Sequence, residues 1–181
     1  KLVSNGVTET SDPFDILPGV ATELRITQQP STDTVDHTPG KTGELLSSQP
    51  IAKLYDQDGN LVTTTSTGSV TIRVKSTDSA GDLSEGTQTA NITGGIAAFS
   101  GVKFVGTPGV TYTLDFATAS PNPVLTSLAS TPISVTHNDA THLVVTQIAA
   151  NGRSGMLFDT QPVVTVKDRY ENTVTTGADS G

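Results

Sequence analysis

The chain has 181 residues, of which 34% are hydrophobic, 4% aromatic and 15% charged, with no Cys, no Trp and a formal charge of -8. No apolar run approaches the roughly 20 residues a membrane-spanning helix needs, and the apolar residues are numerous and scattered enough to argue against a disordered tail. Ten Lys and Arg against eighteen Asp and Glu, with no cationic cluster, disfavour a nucleic-acid partner and docking on anionic lipid.

Thirty-one Thr and seventeen Ser favour exposed strand faces over helices. Without Cys, the fold is built without disulfides and is compatible with either redox compartment. In chain order, Phe14 and Ile16 read as the end of a strand. Leu24 and Ile26 then alternate with Glu23, Arg25 and Thr27. Ala52 and Leu54 alternate with Lys53 and Tyr55, Val70, Ile72 and Val74 with Thr71, Arg73 and Lys75, and Tyr112, Leu114 and Phe116 with Thr111, Thr113 and Asp115. Ile133 and Val135 follow. Period-two alternation of this kind marks half-buried strands. Turn signals separate them at Asp58-Gly59-Asn60, Gly94-Gly95 and Gly106-Thr107-Pro108-Gly109.

The chain repeats itself. ATELRITQQ from Ala21 recurs as ATHLVVTQI from Ala140 with five of nine positions identical, and SQPIAKLYDQDGNLVTTT from Ser48 recurs as TQPVVTVKDRYENTVTTG from Thr160 with seven of eighteen identical. The offsets are 119 and 112, so seven extra residues are expected in the first copy, within Thr32 to Gly43. The first offset also aligns Pro13 with Pro132. Residues 1–20 therefore read as the closing strand and linker of one repeat, 21–139 as a complete repeat, and 140–181 as the opening strands of a third. Such a chain is expected to be a piece of a longer array. Its terminal portion, holding only opening strands, should expose unpaired edges and half a core.

About seven strands in roughly 110–120 residues fit an all-β fold, an immunoglobulin-like antiparallel β-sandwich. The segments TQPVVTVKDRYENTVTT, NITGGIAAFSGVKF and GTPGVTYTLDFATAS together resemble the bacterial immunoglobulin-like tandem repeats of surface-layer proteins and invasin-type adhesins. The resemblance covers the central unit and both partial neighbours, and is more specific for fold than for task. It implies an extracellular, cell-surface protein whose repeats are non-catalytic structural elements of a surface layer, filament or stalk. The partners would be neighbouring repeats of the same chain and other copies in a surface assembly, with no nucleic acid and no membrane insertion. The alternative is a segment of an adhesin that binds a host or matrix glycan or protein. For that role the sequence offers only Tyr55 and Tyr170 as exposed aromatics.

Candidate chemistry is sparse. Asp56, Asp58 and Asn60 around Gly59 look like the front of a calcium loop, which would make calcium the one candidate cofactor. The second copy reads Asp168-Arg169-Tyr170-Glu171-Asn172 and keeps only the first Asp and the Asn, so a turn in which these side chains cap the backbone is the simpler account. The junction acids Asp15, Glu23, Asp139 and Asp159 offer a second place for calcium, with scattered surface charge as the alternative. His137 and His142 flank Asp139 and would hold a metal only if the linker folded back, and the remaining His is His37. Lys53 faces outward, against an isopeptide cross-link. Asn91-Ile92-Thr93 is a glycosylation sequon, and Thr63 to Thr67 a Thr-rich stretch. No nucleophile, metalloprotease or phosphate-loop motif is present, so an enzyme is not expected.

Overall fold

Alternation at every second residue places side chains on opposite faces of a pleated chain, and the structure is β throughout. The computed structural model describes residues 2–4, 6–35, 38–75, 81–83, 85–119, 123–127 and 129–175, and none of these is helical. His37 lies outside the described residues. The strands are β1 (Leu2–Ser4), β2 (Val7–Glu9), β3 (Glu23–Gln28), β4 (Ile51–Tyr55), β5 (Ser69–Val74), β6 (Thr89–Asn91), β7 (Ile96–Ala98), β8 (Thr111–Tyr112), β9 (Leu114–Thr118), β10 (Ile133–Ser134), β11 (Ala140–Gln147) and β12 (Val163–Asp168).

Residues 21–139 carry two three-stranded antiparallel sheets, ordered β3-β4-β7 and β6-β5-β9, with β10 paired to β8 beside them. Leu24, Ala52 and Leu54 of the first sheet and Val70, Ile72, Leu114 and Phe116 of the second are buried in one hydrophobic cluster. Phe99 meets Phe116 edge-on at 5.8 Å, and the Phe104 and Tyr112 rings lie 4.9 Å apart. The alternation identified these inward faces because the two-residue period is local to each strand. Ile133 and Val135 close the same core.

Strands β11 and β12 form a separate antiparallel hairpin that follows β3 and β4 pair for pair. Leu24↔Leu54 and Ile26↔Ala52 correspond to Leu143↔Val166 and Val145↔Val164, and the register shifts between Ile26 and Gln28 as it does between Val145 and Gln147. The side chains follow suit. Gln28 Nε2 donates to the Gln49 carbonyl at 2.6 Å, and Gln147 Nε2 donates to the Gln161 carbonyl at 2.7 Å. The bridges Ser31↔Ser48 and Ala150↔Thr160 also correspond. At the far end the Glu44 amide bonds the Lys41 carbonyl as Met156 does Arg153, so the extra length of the first copy falls between Ser31 and Lys41. That stretch packs on the closing strand, where Thr136 N donates to the Gly40 carbonyl at 2.9 Å and the Thr32 hydroxyl donates to the Ser134 carbonyl.

The two hairpins differ in what covers them. Leu24 is 2% exposed and Leu143 68%; Ala52 is 0% exposed and Val164 52%. In β3-β4 the second sheet lies over the inward face, whereas among the described residues β12 has no strand in the place of β7. Phe14 and Ile16, which align with the buried Ile133 and Val135, are exposed at 77% and 86%.

Candidate functional site at the junction turns

Each hairpin ends in a tight turn organised by one Asp. Asp56 Oδ1 accepts the Asp58 and Asn60 amides at 3.0 and 2.8 Å, and Oδ2 accepts Asn60 Nδ2 at 3.2 Å. Asp168 Oδ1 accepts the Tyr170 and Asn172 amides at 2.8 and 2.9 Å, and Oδ2 accepts Asn172 Nδ2 at 3.1 Å. The fourth turn residue has a left-handed backbone in both, at Gly59 (φ 82) and Glu171 (φ 65). The first copy uses Gly for this conformation and the second places a non-Gly residue in it.

Both carboxylates also accept a backbone amide from the segment that precedes the hairpin. Gly19 N donates to Asp56 Oδ2 at 2.9 Å, and Asn138 N donates to Asp168 Oδ2 at 2.8 Å. Asp56 and Asp168 are 3% and 0% exposed. The Asn60 and Gly19 amides hold the Asp56 carboxyl below the ordinary Asp range against the opposing effect of burial. At Asp168 burial is the largest influence and acts upward. The Asn138, Asn172 and Tyr170 donors together outweigh it and keep the group below the ordinary range.

At the second hairpin the entering segment and the turn make further contacts with the rest of residues 21–139. Asn138 Nδ2 donates to the Thr42 carbonyl at 2.7 Å, and Lys41 pairs with Asp139. Tyr170 lies against the bare backbone of Gly43, where a β-carbon would collide with its ring, and its hydroxyl donates to Glu85 Oε1 at 3.0 Å. Arg169 stacks over the Tyr170 ring at 4.5 Å and reaches Glu85 Oε2 at 3.1 Å. The residues equivalent to Arg169 and Tyr170 in the first hairpin are Gln57 and Asp58, both exposed, so this second set of contacts is particular to the one junction. Sequence reading isolated the recurring Asp and Asn. It had no signal for the amides of Gly19 and Asn138, or for Gly43 and Glu85, because these meet the turns through the path of the chain.

Of the calcium candidates, Asp56 already accepts four N–H groups, and Asp58 and Asn60 are exposed. Among the junction acids, Glu23 pairs with Arg25 at 2.6 Å, while Asp15 and Asp159 are exposed. His137 Nδ1 lies 2.9 Å from the Asn138 carbonyl, and His142 Nε2 lies 3.1 Å from Glu171. These two side chains therefore engage different partners. Among the described residues no three His, Cys, Asp or Glu side chains are grouped so as to hold a metal. Tyr55 is half-buried with Arg25 over one face, its guanidinium 4.4 Å from the ring centre, and Tyr170 is half-buried in its junction, so the aromatics that stand exposed are Phe14 and Phe158 and not the two Tyr the sequence suggested. Lys53 stands between Arg25 and Ile96 in the sheet, and Asn91 is exposed on β6 at a sheet edge. Comparison with family models, curated proteins and solved structures gives no match.

Proposed function

We propose that the chain is a segment of a tandem array of immunoglobulin-like β-sandwich units, acting as non-catalytic structural elements of a long extracellular surface protein in a layer, filament or stalk. The observation that carries this reading is the correspondence between β3-β4 and β11-β12 in register, bulge, turn and entering-chain contact. Two stretches of one chain that fold alike and receive the preceding segment alike are what a serial, nearest-neighbour architecture requires. On this reading residues 21–139 are one complete unit, the exposed face of β11-β12 is the first half of the next, and residues 1–20 end the unit before. The net charge of -8 favours mutual repulsion of copies, which suits an extended array.

Antibodies raised against the 181-residue chain test the proposal by immunogold labelling of intact source cells. Dense, regular labelling of the surface is the expected result. Labelling that appears only after permeabilisation would overturn the extracellular reading, and labelling confined to sparse tips would favour the adhesin role.

A further inference from the structure

The two turn carboxylates do more than close their turns. A turn of this kind is satisfied when the Asp side chain accepts the amides two and four residues ahead, and in both copies Oδ1 alone does this. The other oxygen faces the chain that enters from the preceding unit. It meets an amide 37 residues back in the first copy and 30 residues back in the second, so a different intervening length leads to the same contact. The residue that supplies the amide is Gly in one and Asn in the other. What is recognised is a backbone N–H, not a side chain.

We propose that this carboxylate is a socket for the preceding linker: through one buried Asp, the first hairpin of each unit holds the chain that leaves the unit before it. The inference rests on the array reading above and names the contact by which neighbouring units are coupled. Its physical basis is the cost of leaving a short connecting segment without ladder partners. Each linker residue fixed in place loses conformational freedom, and a charge-assisted bond donated by its amide to a buried carboxylate offsets more of that loss than one to a neutral acceptor would. A linker is then held in place only once the following hairpin has folded, which makes the stability of one unit depend on the next. The residue that supplies the amide differs between the two copies, Gly19 and Asn138, while the acceptor is Asp in both, at Asp56 and Asp168. At the second junction the Asn138 side chain extends the chain of contacts to the Thr42 carbonyl, tying the socket to the body behind it.

Asp168→Asn in the full chain separates the two uses of the side chain. The new amide keeps one oxygen for the Tyr170 and Asn172 amides and turns an NH2 toward Asn138 N and Asn172 Nδ2, which also donate. Hydrogen exchange followed by NMR should show the Asn138 amide exchanging at least about tenfold faster, with Tyr170, Asn172 and the core amides of Leu54, Ile72 and Phe116 unchanged. Asn172→Ala removes a donor from the turn and leaves the carboxylate intact, and Asn138 should stay protected. Unchanged exchange at Asn138 in Asp168→Asn overturns the proposal, and so does an equal loss at Asn138 in both variants, since Asp168 would then be a turn residue only. Should Asp168→Asn fail to fold, the unmutated chain decides the matter. A scalar coupling across the hydrogen bond from Asn138 N to the Asp168 carboxylate carbon is expected, and its absence while the couplings from Tyr170 and Asn172 are seen would refute the socket. A chain that shows the coupling but proves intracellular would sink the surface-protein reading and leave the contact standing.

Discussion

Truncating Leu24 and Leu143 to Ala should have unequal consequences although the two residues are equivalent in register. Leu24 is 2% exposed within the core shared by the two sheets, so Leu24→Ala removes fully buried carbons and leaves a cavity walled by both sheets. Substitutions of this kind cost about 2–5 kcal/mol. Leu143 is 68% exposed. Only about a third of the roughly 1.5–3 kcal/mol available from burying a Leu is realised there, and no closed cavity can form, so Leu143→Ala should cost at most about 1 kcal/mol. That cost should fall on the β11-β12 hairpin and leave the body transition in place. Urea unfolding followed by far-UV circular dichroism measures the difference in a chain without Trp, and an unchanged slope with denaturant licenses comparison of the midpoints. Equal losses for the two variants would refute the argument, because they would mean that the face carrying Leu143 is covered in solution. A loss under about 1 kcal/mol at Leu24 would mean that the two-sheet core is not what holds the body together.

Acid should loosen the protein through Asp56 and Asp168. Both are held below their ordinary range when folded, so their contribution is fully present above the unfolded carboxylate value of about 3.9 and is lost as pH falls through the lower folded values. Urea midpoints should stay level from neutral pH to about 4 and drop below it, and the drop should be shallower in Asp168→Asn; an identical acid profile in the variant would count against this. Gly43→Ala meets two obstacles, a left-handed backbone (φ 79) and the Tyr170 ring. It should cost about 1–2 kcal/mol from the backbone alone, with a further loss from the displaced ring that Tyr170→Ala in the same chain relieves. No relief in that double variant would mean that Tyr170 does not lie on Gly43. Calcium should leave the melting temperature unchanged relative to a chelator, because Asp56 would have to give up amide donors to bind it; a rise that Asp58→Asn abolishes would restore the calcium loop.

The sequence by itself determined the principal strands β3, β4, β5 and β9, their inward faces and the likeness of the two hairpins; it did not announce the β1-β2 pair, and it placed a strand at Phe14 and Ile16, where the structure has none. Alternation along Val70 to Val74 or Tyr112 to Phe116 reflects a two-residue period local to each strand, and the match between Ala21 and Ala140 carries register with it, since a slip of one residue would turn every apolar side chain outward. The recurring Asp and Asn also announced the turns, whose internal bonds span only five residues. The incomplete strand set after Ala140 also foretold the uncovered face that carries Leu143. Only the tertiary structure decided what the second carboxylate oxygen does, that Tyr170 lies on Gly43, that Tyr55 sits beneath Arg25, and that Phe14 and Ile16 stand uncovered where their equivalents are buried. A side chain's pattern states which way it faces along its own strand. Whether anything lies on that side depends on where distant parts of the chain are carried, and no local period encodes that path.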